Sequence, residues 1–173
     1  MLPYQRGRPA TPLECARPLL LVGNVFLKDF LPLLMVVPYI ISLLRIGSDD
    51  IGQLAVAEGE NLPFAVKRAY WTFGVPSNKI RGHHAHYDLQ QLIVAVHGTL
   101  EMTVETPDRV RHVFLLDRPD QALYIPRMCW REIKFSADAV LLCLASQEYA
   151  ESDYIRSYYD FVKLVESKTP PTP

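Results

Sequence analysis

Arg81-Gly82-His83-His84-Ala85-His86-Tyr87-Asp88-Leu89-Gln90-Gln91, running on to Gly98, is the stretch on which the fold turns. The chain has five histidines, and three of them fall within four of these positions. An apolar run follows at once, Leu92-Ile93-Val94-Ala95-Val96, and His97-Gly98 then reads as a turn. In a strand, residues two apart point to the same face. His84 and His86 are therefore expected to project side by side, with His83 pointing the other way. Two imidazoles on one face of a strand suggest either a metal site or an acid/base site.

Outward from this run, residues 51 to 145 are dense with short strand patterns. Residues 53–58 alternate weakly, and residues 64–73 are aromatic and β-branched. Leu100, Met102 and Val104 alternate with Glu101, Thr103 and Glu105, as in a half-buried strand. Thr106-Pro107-Asp108 reads as a turn. Residues 113–116, 122–125, 130–135 and 140–145 follow at a spacing of roughly 8–12 residues, with turn signals between them. This pattern predicts an antiparallel barrel or sandwich rather than βαβ units. Only the end reads as a helix. Ser152 or Asp153 is placed to cap it, and Tyr154, Ile155, Tyr158, Phe161, Val162 and Val165 supply its apolar stripe.

The chain has 173 residues, 49% hydrophobic and 21% charged, which is ordinary for one globular core. A net charge of −1 gives no basic field for nucleic acid or an anionic membrane. Cys15, Cys129 and Cys143 are odd in number and form no CxxC. Cys129 and Cys143 read as buried thiols, which fits a reducing, cytoplasmic setting.

Residues 1–44 differ in composition from the rest and are expected to form an N-terminal extension. They open Pro/Arg-rich and become very apolar, with 15 uncharged residues from 30 to 44. A membrane-spanning helix needs about 20, and Pro32 and Pro38 interrupt this run, so no span is expected. Met35 is an alternative native start. Residues 45–167 then form the domain, and residues 168–173 a disordered Pro/Thr-rich tail.

The histidine spacing resembles the first motif of cupin barrels, His-x-His followed by three or four residues, an acid, six residues and Gly. Here four residues lead from His86 to Gln91, and six more lead to Gly98, but Gln91 replaces the acid. The second cupin motif has a histidine shortly after a proline. Here Pro126 is followed by Arg127-Met128-Cys129-Trp130-Arg131-Glu132. The implied fold is all-β, a cupin-type antiparallel β-barrel (jelly roll) with a C-terminal helix. A divalent metal wants three or four N, O or S ligands with anionic help. Two histidines, an amide and the cation Arg131 do not offer that. The reading is a barrel with no metal and no cofactor, its histidines kept for acid/base work.

From about Asp50 to Val165 the chain resembles the dTDP-sugar 3,4-ketoisomerases of the FdtA/QdtA type, the WxcM-like family. The matching residues include Pro63-Phe64-Ala65-Val66-Lys67-Arg68-Ala69-Tyr70-Trp71, Arg81-Gly82-His83-His84-Ala85-His86, Gln91, Tyr124-Ile125-Pro126, Trp130-Arg131-Glu132 and Ser152-Asp153-Tyr154-Ile155-Arg156. It departs from the family at Asp49-Asp50-Ile51-Gly52, where an Asp-x-Arg-Gly is usual, and at Arg131, where some relatives have His.

The resemblance implies that dTDP-4-keto-6-deoxy-D-glucose becomes a dTDP-3-keto-6-deoxyhexose through an enediol, toward 3-amino sugars of surface glycoconjugates. Imidazoles suit both proton transfers. His86 is the expected principal base/acid and His84 its partner. Tyr70 is a proton relay or a substrate donor. Arg68, Arg81, Gln91 and Arg131 are expected at sugar oxygens, oxyanion or diphosphate. Trp130 either stacks on thymine or fills the core, and core packing competes for Tyr70. The resemblance also implies a homodimer, its N-terminal strands possibly exchanged. Rival readings are a non-catalytic sugar-nucleotide-binding cupin, a metal-dependent dioxygenase and a sugar-nucleotide 3,5-epimerase.

Overall fold

The computed structural model describes residues 37–168. The alternative start at Met35 and residues 169–173 of the expected tail lie outside them, while Lys168, expected in that tail, ends the last helix. The described residues form twelve strands and one α-helix: β1 Tyr39–Ser42, β2 Leu44–Ser48, β3 Gly52–Val56, β4 Arg68–Thr72, β5 Ile80–His86, β6 Gln91–His97, β7 Leu100–Glu105, β8 Arg111–Leu116, β9 Gln121–Ile125, β10 Trp130–Phe135, β11 Val140–Ala145, β12 Tyr154–Ile155 and α1 Tyr158–Lys168.

Two five-stranded sheets, ordered β1-β9-β6-β11-β4 and β12-β5-β10-β7-β8, face one another, and β2 and β3 form a separate hairpin. Every pairing is antiparallel. The strand spacing predicts an antiparallel barrel or sandwich, and the resemblance to cupins implies this jelly roll. The core between the sheets follows the period of two: Ile93 and Ala95, Leu100, Met102 and Val104, Leu123 and Ile125, Ile133 and Phe135, and Leu141 and Cys143 all point inward. Strand β6 is apolar on both faces because Leu92 and Val94 are buried against a second cluster outside the sheet. That explains the unbroken apolar run from Leu92 to Ala95, while Val96 is exposed.

The structure corrects several expectations. The central run of residues 83–96 is two strands, broken at Tyr87–Gln90 and assigned to different sheets. The helix starts at Tyr158, not after Asp153, and the Ser157 hydroxyl caps it by accepting from the Asp160 amide at 3.2 Å. Tyr154 and Ile155 instead pair with His86 and Ala85. Strand β1 lies inside the stretch expected to be an extension, with Tyr39 to Ser42 paired to Tyr124 to Gln121 of β9. Among the described residues no helix is long and apolar enough to cross a membrane.

Strand β5 carries the feature that aims the site. Arg131 of β10 pairs with His84 and Glu132 pairs with Gly82, so His83 is an extra residue with no partner. Gly82 and His83 take φ values of 94° and 53°. This bulge resets the alternation. Arg81, opposite the core residue Ile133, shares a face with His84 although three positions separate them. His83 points out, its side chain 54% exposed and 3.6 Å from Glu132. A Cβ on Gly82 would lie 2.6 Å from the Arg131 carbonyl oxygen. Gly82→Ala is therefore expected to cost about 1–3 kcal/mol, read from urea denaturation. A cost below about 0.5 kcal/mol, the range of indifferent surface changes, would show that the bulge tolerates a side chain.

Candidate active site

His84 and His86 project from the inner face of β5, their ring centroids 5.0 Å apart and edge to face. The expectation of paired imidazoles holds. His86 is 1% exposed. Its Nδ1 donates to Asp153 Oδ2 at 2.9 Å, and its Nε2 is buried with no hydrogen-bond partner among the described residues. The Nδ1 of His84 donates to the Gly82 carbonyl at 2.9 Å. Both partners are acceptors, so both rings carry their proton on Nδ1 and turn Nε2 away from it. Tyr154 packs on both rings, at 4.2 Å from His86 and 5.2 Å from His84.

Arg131 faces the pair from β10. It is 2% exposed, and none of its three guanidinium nitrogens has a hydrogen-bond partner among the described residues. Burial lowers its pKa, against weak raising by Cys129 and Tyr70, but a guanidinium stays a cation. Burial first and Arg131 second push His84 down to about 4, against the Gly82 carbonyl. The same two causes lower His86, while Asp153 works to raise it. Near neutral pH both imidazoles are thus neutral, the state a general base needs.

Other expected residues lie near the same groups, Tyr70 beside Arg131 and Arg68 beside His86. Gln91, 2% exposed, donates from Nε2 to the Tyr70 hydroxyl at 2.8 Å. Burial, with Cys143 beside it, holds the Tyr70 phenol above its ordinary pKa. The Arg68 guanidinium lies 5.1 Å from the Tyr70 ring and 5.6 Å from the Tyr149 ring. Burial also raises the thiols of Cys129 to about 12 and Cys143 to about 11, so both stay protonated. Among the described residues no three His, Cys, Asp or Glu side chains converge as metal ligands.

Two expected residues stand apart. Trp130 is on the outer face of β10, beneath α1, with Tyr158 at 5.2 Å and Phe161 at 5.9 Å. Of its two expected roles, stacking on thymine and filling the core, the structure supports the second. Its neighbours Ala85, Ile155 and Val165 belong to the same cluster. Arg81 is exposed and lines a hollow of about 520 Å³ with Trp71, Phe73, Pro76 and Lys79, and neither histidine contributes to it. Asp153 and Tyr154 were the residues missed. Their only signal was their place in the Ser152–Arg156 motif, which reads equally as a helix start.

A buried cation without a partner costs the fold stability, and an apolar replacement of similar volume removes that cost. Arg131→Met is expected to leave the ligand-free chain as stable as before, or about 1–4 kcal/mol more stable, by denaturant titration. A loss of that size would reveal a partner for the guanidinium.

A family model described as FdtA, WxcM-like, C-terminal, matches residues 38–166. A curated relative from Aneurinibacillus thermoaerophilus, TDP-4-oxo-6-deoxy-alpha-D-glucose-3,4-oxoisomerase, is 37% identical over 119 residues, covering 68% of this chain and 85% of the relative. Among solved structures, a 3,4-ketoisomerase from Helicobacter canadensis superposes with a TM-score of 0.70 at 33% identity, over 75% of this chain and 97% of the other. The sugar 3,4-ketoisomerase QdtA from Thermoanaerobacterium thermosaccharolyticum, in complex with TDP, gives 0.71 at 32% identity, over 76% and 96%. With the model spanning β1 to α1 and the curated relative this similar, the chain belongs to the FdtA, WxcM-like family.

Proposed function

We propose that this chain is a TDP-sugar 3,4-ketoisomerase that converts TDP-4-keto-6-deoxyglucose into a TDP-3-keto-6-deoxyhexose through an enediol, without a metal. The observation that carries the reading is one arrangement of side chains: two neutral imidazoles side by side, one with a buried Nε2 unpartnered among the described residues, and beside them a guanidinium likewise unpartnered. The reaction asks for those parts. A base removes the proton beside the ketone, a fixed positive charge meets the oxyanion that develops, and the proton returns at the neighbouring carbon. His86 is the principal base and His84 its partner. Arg131 stabilises the enediolate oxygen. Tyr70, held by Gln91, relays or donates a proton to a sugar hydroxyl. Arg68 and Arg81 meet the diphosphate. The name of the Aneurinibacillus relative and the 3,4-ketoisomerase structures support this substrate class.

The protein acts as a homodimer. The β2–β3 hairpin supports this, since Leu44, Ile46 and Leu54 are 50%, 52% and 60% exposed. An isolated two-stranded hairpin is marginal in water and needs a surface to pack on. A second copy covers it, with N-terminal strands exchanged. Buried free thiols at Cys129 and Cys143 fit a cytoplasmic setting.

Proton NMR of the protein with TDP-4-keto-6-deoxyglucose in deuterated water tests the reaction. A new 3-keto sugar carrying solvent deuterium is expected, with turnover in His86→Asn lowered on the order of 10²–10⁴-fold. Tight binding of the sugar nucleotide with no exchange would favour the non-catalytic binding module. For the dimer, the double change Ile46→Glu and Leu54→Glu is expected to shift the sedimenting species from dimer to monomer. A monomeric parent chain would end that proposal.

A further inference from the structure

We propose that Cys143 is a positioning residue that holds the Tyr70 phenol through a hydrogen bond weak enough to be given up to the substrate. This deepens the ketoisomerase reading of the site and rests on it. Tyr70 of β4 and Cys143 of β11 are direct partners in the antiparallel register. Both side chains turn inward, Cys143 into the core and Tyr70 against it. Gln91 opens β6, on the other side of β11, and shares an inner face with Ile93. The phenol thus meets an amide and a thiol.

These groups form a chain of hydrogen bonds with one direction. Gln91 Nε2 donates to the Tyr70 hydroxyl oxygen at 2.8 Å. The amide hydrogen takes that side of the oxygen, so the phenol O–H turns to Cys143, and a hydrogen bond joins the two side chains. The Cys143 S–H is committed elsewhere, to the Leu144 carbonyl at 3.7 Å. Its sulfur therefore presents lone pairs to the phenol. This is the sulfur of a neutral thiol, since burial pushes the Cys143 pKa up to about 11. Burial also holds Tyr70 above its ordinary value, so the phenol keeps its proton near neutral pH.

A thiol sulfur is a weak acceptor, and an oxygen that carries developing negative charge is a strong one. The phenol lies beside the Arg131 guanidinium, a cation that favours such a charge. As the enediolate forms, the O–H···S bond breaks and an O–H···O bond to the sugar oxygen replaces it. No covalent bond to sulfur forms or breaks. An oxygen acceptor at position 143 would hold the phenol more tightly and compete with the substrate for its O–H. Gln91 Oε1 is buried and has no partner among the described residues, so an acceptor for a sugar hydroxyl stands beside this donor.

The test compares Cys143→Ser with Cys143→Ala. Serine keeps the size of the thiol and replaces a weak acceptor by a strong one, whereas alanine leaves no acceptor. Turnover is expected to fall about tenfold in Cys143→Ser, as for one neutral hydrogen bond, with KM within about threefold of the parent. Cys143→Ala is expected to keep turnover within about threefold. If the thiol only fills space, the order reverses, because alanine opens a gap in the core and serine does not. Turnover lower in Cys143→Ala than in Cys143→Ser would therefore overturn the proposal, as would turnover in Cys143→Ser within about threefold of the parent. In the ligand-free chain the Tyr70 ¹³Cζ resonance, which follows the hydrogen bond of the phenol, is expected to move in both variants. A resonance unmoved in both would show that the phenol is not bonded to residue 143, and the proposal would fall. A parent chain inert toward the sugar nucleotide would sink the ketoisomerase reading instead, and the resonance would still decide whether Cys143 holds the phenol.

Discussion

The most demanding group in this barrel is the Arg131 guanidinium, 2% exposed and without an acceptor on any of its three nitrogens among the described residues. A lone ion in a protein interior costs several kcal/mol, and relief comes only from a counter-charge or from removal of the ion. Its neighbours provide no counter-charge. Cys129 and Cys143 are protonated thiols, and burial keeps Tyr70 a phenol. The imidazoles respond by staying neutral, since a second cation beside the first would add to the penalty. A fixed cation beside two neutral imidazoles disfavours a divalent metal and favours an anion. The same charge thus helps to keep both imidazoles neutral.

Much of this was legible in the chain because β structure has a short period. The alternation at Leu100, Met102 and Val104, and the spacing of the later strands, led to an antiparallel barrel or sandwich, and the His-x-His resemblance narrowed it to the jelly roll. His84-x-His86 put both rings on one face whatever the register. The gaps have a common cause. The bulge at Gly82 and His83, the break at Tyr87–Gln90 and the Tyr154–Ile155 pairing are set by partners far away in sequence, not by local periodicity. Sequence patterning saw Tyr154, Ile155 and Tyr158 as one apolar stripe because helix and strand periods agree over so few residues. Asp153 was hidden for the same reason: an acid before an apolar run is also what a helix cap looks like. Trp130 was ambiguous in sequence because a tryptophan fits a ligand cavity and a helix–sheet contact equally well, and only the parity of β10 separates them.

That parity also explains why the C-terminal segment is part of the site rather than an appendage. Ala85 lies between the two histidines and points the opposite way, into the cluster that receives Phe161 and Val165 of α1. Tyr154 and Ile155 divide in the same manner, one ring against the histidines and one side chain against the helix. The helix is held at its start by Tyr158, which donates to Glu105, a carboxylate also engaged by Arg109 and Arg111 at 2.6 and 2.8 Å. Glu105 is 2% exposed, so the carboxylate at the centre of this network is shielded, while Arg109 and Arg111 reach it from the surface. Fixing α1 fixes Ile155, and Ile155 fixes the two-residue strand that carries Tyr154 and follows Asp153. Precision at the imidazoles is therefore built from outside the barrel inward: the helix clamps β12, β12 clamps the ring faces, and Asp153 at its entrance clamps the edge of His86.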